Sequence, residues 1–428
     1  MKAGLAQIDI TPPVGTPLTG YIARDGVSTG VHDPLFARAL ALQEGDQRAA
    51  ILTCDVLGLR LVDVHAVRAA IEATTGIPAA HVLIACSHTH AGPATMPLQD
   101  CGDVDERYLA ALREKLATAA SQAVADLRPA RFAVGAGQVS AGVHNRRQPS
   151  DVIDPALGVL RITDEAGRTR GVVLNYACHP TCLTGENRLF SAEYCGLAVQ
   201  KIQEATGAIT LFLTGAIGDV GPVARGMAVM EELGETVAAE ALRVLPTLEP
   251  KPWRRLAAAH RPLDLPLGPL PTVEQMAAEL ARWQQTDAVA DAPLLPAHPM
   301  IPVAMRHWSA RTLAQLRAGT APQQVASEVQ AIHVGEMALV SAPGELFVEL
   351  GLAIKAQAGV AHLFVCGFGN DNIGYIPTRR AYPLGGYEVN EAYKYYGYPA
   401  ALAPEAGEAY VAAASQLLQQ ASTHSGES

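Results

Sequence analysis

The chain has 428 residues, 49% hydrophobic and 17% charged, with a mean hydropathy of +0.14, a composition that supports a large buried core. Its 32 basic against 42 acidic residues give a net charge of −10 with no dense Lys/Arg cluster, which excludes a phosphate-backbone binder and so leaves no nucleic acid among expected partners. No apolar run approaches the roughly 18 residues needed to cross a bilayer, so no integral membrane segment is expected.

The start, "MKAGLAQIDITPP", lacks the apolar stretch of a signal peptide and reads as a first strand stopped by its prolines. Cytoplasmic residence is the expectation. The seven cysteines agree with it: Cys54, Cys86, Cys178 and Cys366 each end an apolar run and read as core thiols in a reducing compartment. Further on, "RAAILTCDVLG" predicts a strand, "LVDVHAVRAAIEATTG" a helix ended at Gly76, and "HVLIACS" a second strand. "DERYLAALREKLATAASQAVADL" predicts a long amphipathic helix. "RFAVGAGQVSAG" and "GVLRITDEAGRTRGVVLNYAC" predict strands with a turn at Glu165-Ala166-Gly167. "SAEYCGLAVQKIQEATG", "AITLFLTGAIGD" and "EELGETVAAEALRVL" continue the alternation as helix, strand and helix. The fold class is therefore α/β with a mixed sheet, and sites are expected at strand ends.

Residues 246–325 change character. Proline-rich runs such as "RPLDLPLGPLP" and "APLLPAHPMIP" accompany helical patterns in "TVEQMAAELARWQQ" and "AMRHWSARTLAQLRAG". This reads as a helical insertion in one domain spanning residues 1–428. Next come a hairpin turning at Gly335-Glu336, a helix after "PGE", and a Tyr/Gly-rich loop before the last helix. No internal repeat is visible in the sequence.

Several of these strand ends carry metal-competent side chains. "HVLIACSHTHAGP" closes a strand with His88 and His90, which alternation would send to one side. His179 follows "VVLNYAC", and Glu345 sits where a strand passes to a helix. Each alone reads as well as a solvated strand edge. Taken together, imidazole and carboxylate donors match what zinc asks for, with ligands about 2.0–2.2 Å from the ion and one position open. A Cys-His-x-x-Cys site at Cys178, His179 and Cys182 is weaker, since consecutive strand residues face opposite ways. The glycines of "TGAIGDVG" lack a Gly-Lys-Ser/Thr ending and read as a tight turn with close backbone approach. The remaining histidines read as surface or core residues, His144 beside Asn145-Arg146 excepted.

The ordered set "ITPPVGTPLTGY", "SHTHAGP", "HNRRQP", "NYACHPT", "GDVGP", "SAPGE", "GYIPT" and "YEVNEAY" resembles the catalytic domain of neutral ceramidases over most of residues 1–410. That resemblance implies a zinc-dependent hydrolase of an amide bond, with zinc held by His88, His179, Glu345 and Tyr375. It implies that His90 stands beside the metal and that Arg146 and Tyr387 face the scissile amide. The substrate would be a small, partly apolar molecule with an amide, or else an ester or lactone. Two departures stand out. Gly221 replaces the family's serine in "GDVGP", and no C-terminal sandwich domain follows, which makes ceramide itself a doubtful substrate. Asp219 of the same motif is expected to orient a ligand. The tyrosines at 382, 387, 393, 395, 396 and 398 suit an apolar groove or a subunit interface equally, so a homo-oligomer stays open. Two other readings compete: a TIM-barrel amidohydrolase, which also opens on His-x-His, and a non-catalytic binding protein that kept the metal.

Overall fold

The computed structural model describes residues 1–147, 149–286 and 298–423. Its first strand, β1 (Lys2–Asp9), pairs antiparallel with β2 (Phe36–Glu44), and β2 pairs antiparallel with β3 (Gln47–Cys54). Helix α1 (Leu61–Thr75) then crosses over to β4 (Val82–Cys86), which runs parallel to β3. All five residues of β4 are buried, as expected of a parallel strand covered on both faces. Gly76, at φ 71, ends α1 in the left-handed conformation, its N–H closing on Glu72 O. Helix α2 (Glu106–Ala125) starts where the Asp105 carboxylate accepts from the N–H groups of Arg107 and Tyr108.

The same order then recurs. Strands β5 (Arg131–Gln138), β6 (Ala156–Thr163) and β7 (Thr169–Tyr176) form an antiparallel run; α3 (Glu193–Thr206) crosses to β8 (Ile209–Thr214), parallel to β7, and α4 (Met227–Val244) follows. A third time, β9 (Leu256–Pro266), β10 (Gln324–Val334) and β11 (Met337–Ser341) are antiparallel neighbours. Here α5 (Val273–Gln284) and α6 (Met300–Ala318) lie between β9 and β10, and α7 (Val348–Gln357) crosses to β12 (His362–Cys366), parallel to β11. Two short helices, α8 (Tyr387–Asn390) and α9 (Ala392–Tyr395), precede α10 (Ala406–Thr423).

Three units of strand-strand-strand-helix-strand-helix thus follow one another, although no repeat shows in the residues. A shared core draws on all three sheets, with Leu40 and Ile51, Ile162 and Leu213, and Ile332 and Phe364 among its members. Each sheet's other face is covered by its own pair of helices: α1 and α2, α3 and α4, α7 and α10. Only the pattern of burial has to repeat for the backbone to do so, which is why sequence comparison within the chain finds nothing.

Two readings change. Residues 256–266, within the expected helical excursion, form a strand that pairs with β10 over its full length. Pro262 and Pro266 belong to a strand at the sheet's edge, where a missing N–H costs no ladder bond. The TIM-barrel alternative falls as well, because the strands form separate mixed sheets and no closed parallel barrel. The proline-rich run at 292–302 lies outside the described residues as far as 297. No helix among the described residues is long and apolar enough to cross a membrane.

Candidate metal centre

The carboxyl ends of the parallel strand pairs deliver the site: β4 leads to His88 and His90, β7 to His179, β11 to Glu345 and β12 to Tyr375. One unit supplies two imidazoles, the next supplies one, and the third supplies the carboxylate and the phenol. Strand alternation is not what brings His88 and His90 together. β4 ends at Cys86, and His88 turns back through a left-handed conformation at φ 65, its N–H bonded to Val56 O. That is an uncommon conformation for a non-glycine residue and a mark of imposed local structure. The Phe368 ring lies flat on His88, with centroids 3.8 Å apart and planes within 9°, and Phe368 is itself left-handed at φ 54.

Each imidazole directs Nδ1 at a backbone carbonyl: His88 at Leu57 O (2.7 Å), His90 at Gly20 O (3.0 Å), and His179 at Ile217 O (3.4 Å). A proton on each Nδ1 leaves the Nε2 lone pairs facing inward. His90 Nε2 is 3.2 Å from the Nε2 atoms of both His88 and His179. Burial disfavours the charged rings, pushing His88 down to about 3 and His90 and His179 well below the ordinary value. Three neutral rings with converging lone pairs repel one another unless a cation lies between them.

Glu345 completes this picture. Its Oε1 accepts from Tyr396 OH at 2.7 Å, while its Oε2 is buried with no hydrogen-bond partner. That orphan oxygen stands 3.9 Å from His88 Nε2 and 3.8 Å from His179 Nε2. Burial raises the Glu345 carboxyl to about 7, against the opposing pull of Arg146. A buried acceptor without a donor is costly, and a metal ion removes that cost. Donors about 2.0–2.2 Å from a common ion stand at most roughly 4.4 Å apart, and Glu345 Oε2 lies within that span of both His88 and His179 Nε2. The residues fit a divalent cation. Among the described residues, His88, His90 and His179 are the only group of three such side chains within ligating distance of one another.

A two-residue parallel pairing, Glu345–Leu346 with Tyr375–Ile376, sets Glu345 directly beside Tyr375. Arg146 Nη2 donates to Tyr375 OH (2.9 Å) and to Gly218 O (2.7 Å), and its Nε forms an ion pair with Glu388 at 3.0 Å. Burial lifts the Tyr375 phenol well above its usual range while Arg146 pulls it down. Tyr387, at the start of α8, lies edge-on to Tyr375 with centroids 5.9 Å apart. All seven expected residues are therefore gathered in one place. His90 sits within the imidazole cluster, not behind it.

Asp219 reaches the ligand-bearing segments through backbone groups. Its carboxylate accepts from Val348 N–H (2.7 Å) and Asn145 Nδ2 (2.9 Å), and its carbonyl accepts from Arg146 N–H (2.8 Å). It ties together the segments bearing Glu345 and Arg146 and touches no imidazole. The "TGAIGDVG" turn is a close backbone approach, since a Cβ on Gly218 would lie 2.3 Å from Glu345 O. At Gly221 a Cβ would meet only His179 Cβ, at 3.6 Å, so the missing serine is not excluded by space. Cys178 and Cys182 are buried free thiols outside any metal-competent group among the described residues, and His144 is exposed. Phe368 and Gly20 carry no sequence signal for their roles. Tyr396 was visible only as one tyrosine among six.

Residues 1–236, more than half of the chain, match the family described as neutral/alkaline non-lysosomal ceramidase, N-terminal. The neutral ceramidase of Pseudomonas aeruginosa is 24% identical, with 90% of this chain and 68% of that protein covered. A Mycobacterium tuberculosis neutral ceramidase is 25% identical over 44% of this chain and 33% of its own length. The crystal structure of the Pseudomonas enzyme superposes with a TM-score of 0.75 at 21% identity, covering 97% of this chain and 74% of that one. The motifs, the matched region and the shared fold agree: the chain belongs to the neutral/alkaline non-lysosomal ceramidase family.

Proposed function

We propose that this protein is a zinc-dependent hydrolase of an amide bond in a small, partly apolar substrate. The observation that carries the reading is the unpartnered Glu345 Oε2 facing the inward Nε2 atoms of His88 and His179, beside the His88–His90–His179 cluster. The relatives are named as ceramidases, which supports the amide bond as the group cleaved. In this reading His88, His179, Glu345 and Tyr375 hold the zinc, and the whole chain works as one catalytic domain. Zinc bound by such donors supplies Lewis acidity, lowering the pKa of a coordinated water to about 7 and polarising a carbonyl.

The chain's own groups do the rest. His90 is a neutral base that takes a proton from water and returns it to the departing nitrogen, and Gly20 O holds its ring in the tautomer that leaves Nε2 free. Arg146 holds its guanidinium against the Tyr375 oxygen, favouring the phenolate that a metal would take, and with Tyr387 it offers donors to an oxyanion; losing one such donor typically costs about 10²–10³ in rate.

Metal analysis of the purified protein is expected to find about one zinc per chain. His88→Ala combined with His179→Ala is expected to remove both zinc and hydrolysis of N-acyl amines, amino-acid amides, esters and lactones. Full zinc retention by the double variant refutes the ligand set. Silence on every substrate by zinc-loaded protein favours the non-catalytic binding protein, the reading that Gly221 in place of serine keeps alive.

A further inference from the structure

The His90 side of the cluster is walled by Gly20–Arg24. The Tyr21 ring lies 5.0 Å from the His90 ring, and Tyr21 OH donates to Leu183 O at 2.7 Å. Two guanidinium groups stand at this wall, and their situations differ. Arg24 is spent on backbone: its three nitrogens donate to Asn187 O (2.9 Å), Thr19 O (2.6 Å) and His90 O (2.7 Å). Arg225 is exposed, donates from Nη1 to Tyr21 OH at a long 3.3 Å, and pairs with no carboxylate among the described residues. It stands next to the site through Tyr21, whose ring lies between the guanidinium, 6.0 Å from the ring centroid, and the His90 imidazole. The carboxyl nearby does not cancel its charge. Glu193 is buried and turned away from it, its two oxygens accepting from the N–H groups of Cys182 (2.9 Å) and Leu183 (3.0 Å). The rim beside His90 therefore carries an unanswered positive charge, which a neutral substrate would not use.

We propose that Arg225, resting on Tyr21, forms a subsite for a carboxylate on the amine side of the scissile amide, making N-acyl amino acids the substrate class. The proposal rests on the amide-hydrolase reading, in which His90 returns a proton to the departing nitrogen. The nitrogen then leaves on the His90 side, and its substituent lies toward Tyr21 and Arg225. A guanidinium fork suits a carboxylate, which takes two parallel N–H bonds. In the overall step the water oxygen bonds to the acyl carbon, the C–N bond breaks, and the nitrogen departs with a proton. The products are a carboxylic acid and a free amino acid.

The test compares two amides that differ only in the carboxylate, N-lauroylglycine and N-lauroylethylamine. Zinc-loaded protein is expected to favour N-lauroylglycine about fivefold to tenfold in kcat/KM, expressed in KM, as an exposed charge pair allows. The preference is expected to vanish in Arg225→Ala, survive in part in Arg225→Lys, and shrink with added salt. Equal kcat/KM for the two amides, or a preference that persists in Arg225→Ala, overturns the subsite and leaves hydrolysis standing. If neither amide is cleaved, the hydrolase reading is what fails, and calorimetric binding decides the subsite. Binding of N-lauroylglycine that is lost in Arg225→Ala supports it, and equal binding of both amides overturns it.

Discussion

At the residue scale, the two left-handed residues stacked on each other, His88 and Phe368, carry the clearest sign of imposed geometry. A bulky residue at positive φ costs about 1–3 kcal/mol, and here that cost keeps a flat ring against a candidate ligand. Phe368→Leu keeps most of the volume and loses the flat face. Its zinc dissociation constant, measured by chelator competition, is expected to rise about tenfold with the fold retained, in line with other partners that orient a ligand. Unchanged affinity would dismiss the stacking as incidental. Glu193, also at positive φ, accepts from the N–H groups of Cys182 and Leu183, on the loop that follows His179. Its folded value of about 8 lies above the ordinary 4.5, so its contribution is fully present below about 4.5 and is lost as pH rises through 8. The difference in Tm between Glu193→Gln and the parent is therefore expected to shift in favour of the variant from pH 5 to pH 8. A pH-independent difference would show that Glu193 is ionised throughout.

The residue scale also shows what a sequence reveals. His88, His90, His179 and Glu345 were legible because each sits in a short motif at a strand end, where chemistry and position coincide. Tyr396 was not, because it lies 51 residues beyond the Glu345 it serves, in a run rich in tyrosine. Phe368 was illegible for a related reason: nothing in "CGFGND" states that a ring will be turned onto an imidazole from another unit.

At the scale of elements, the inserted α5–α6 pair braces the segment that carries Tyr387 and Tyr396. Trp308 of α6 donates from Nε1 to Tyr398 O at 2.8 Å and meets Tyr393 edge-on, and its ring faces the Lys394 ammonium at 5.3 Å. Trp308→Ala is expected to cost about 3–5 kcal/mol and to raise hydrogen exchange at 387–398 before it does so in β4. Uniform acceleration across the chain would mean that the insertion supports the whole fold and not this segment. The hairpins turning near Gly167 and Gly335 were readable because local turn chemistry fixes them. β9 was not. Its prolines argue against a strand until one knows that it lies at an edge, and edge position is a property of the sheet.

At the scale of the molecule, the candidate centre joins three units that otherwise meet through a common core. A metal ion bound only by the folded state stabilises it by about 2.7 kcal/mol at a hundredfold excess over its dissociation constant. Stripping zinc with a chelator is therefore expected to lower Tm by several degrees, and re-addition to restore it. A Tm indifferent to chelation, with metal loss verified, would mean that the ion does not link the units. The threefold recurrence of topology was beyond sequence reading, since burial pattern alone repeats while residue identity does not.

That recurrence has a bearing on biosynthesis. Within this chain the imidazoles belong to the first two of the three modules and are synthesised before the third, which carries the carboxylate and the phenol. A nascent polypeptide halted after the second module would hold three nitrogen donors with no anionic partner, a weak and poorly selective trap for cations. Capture of an ion by the full donor set would thus wait until the third module has been made and has folded onto the other two.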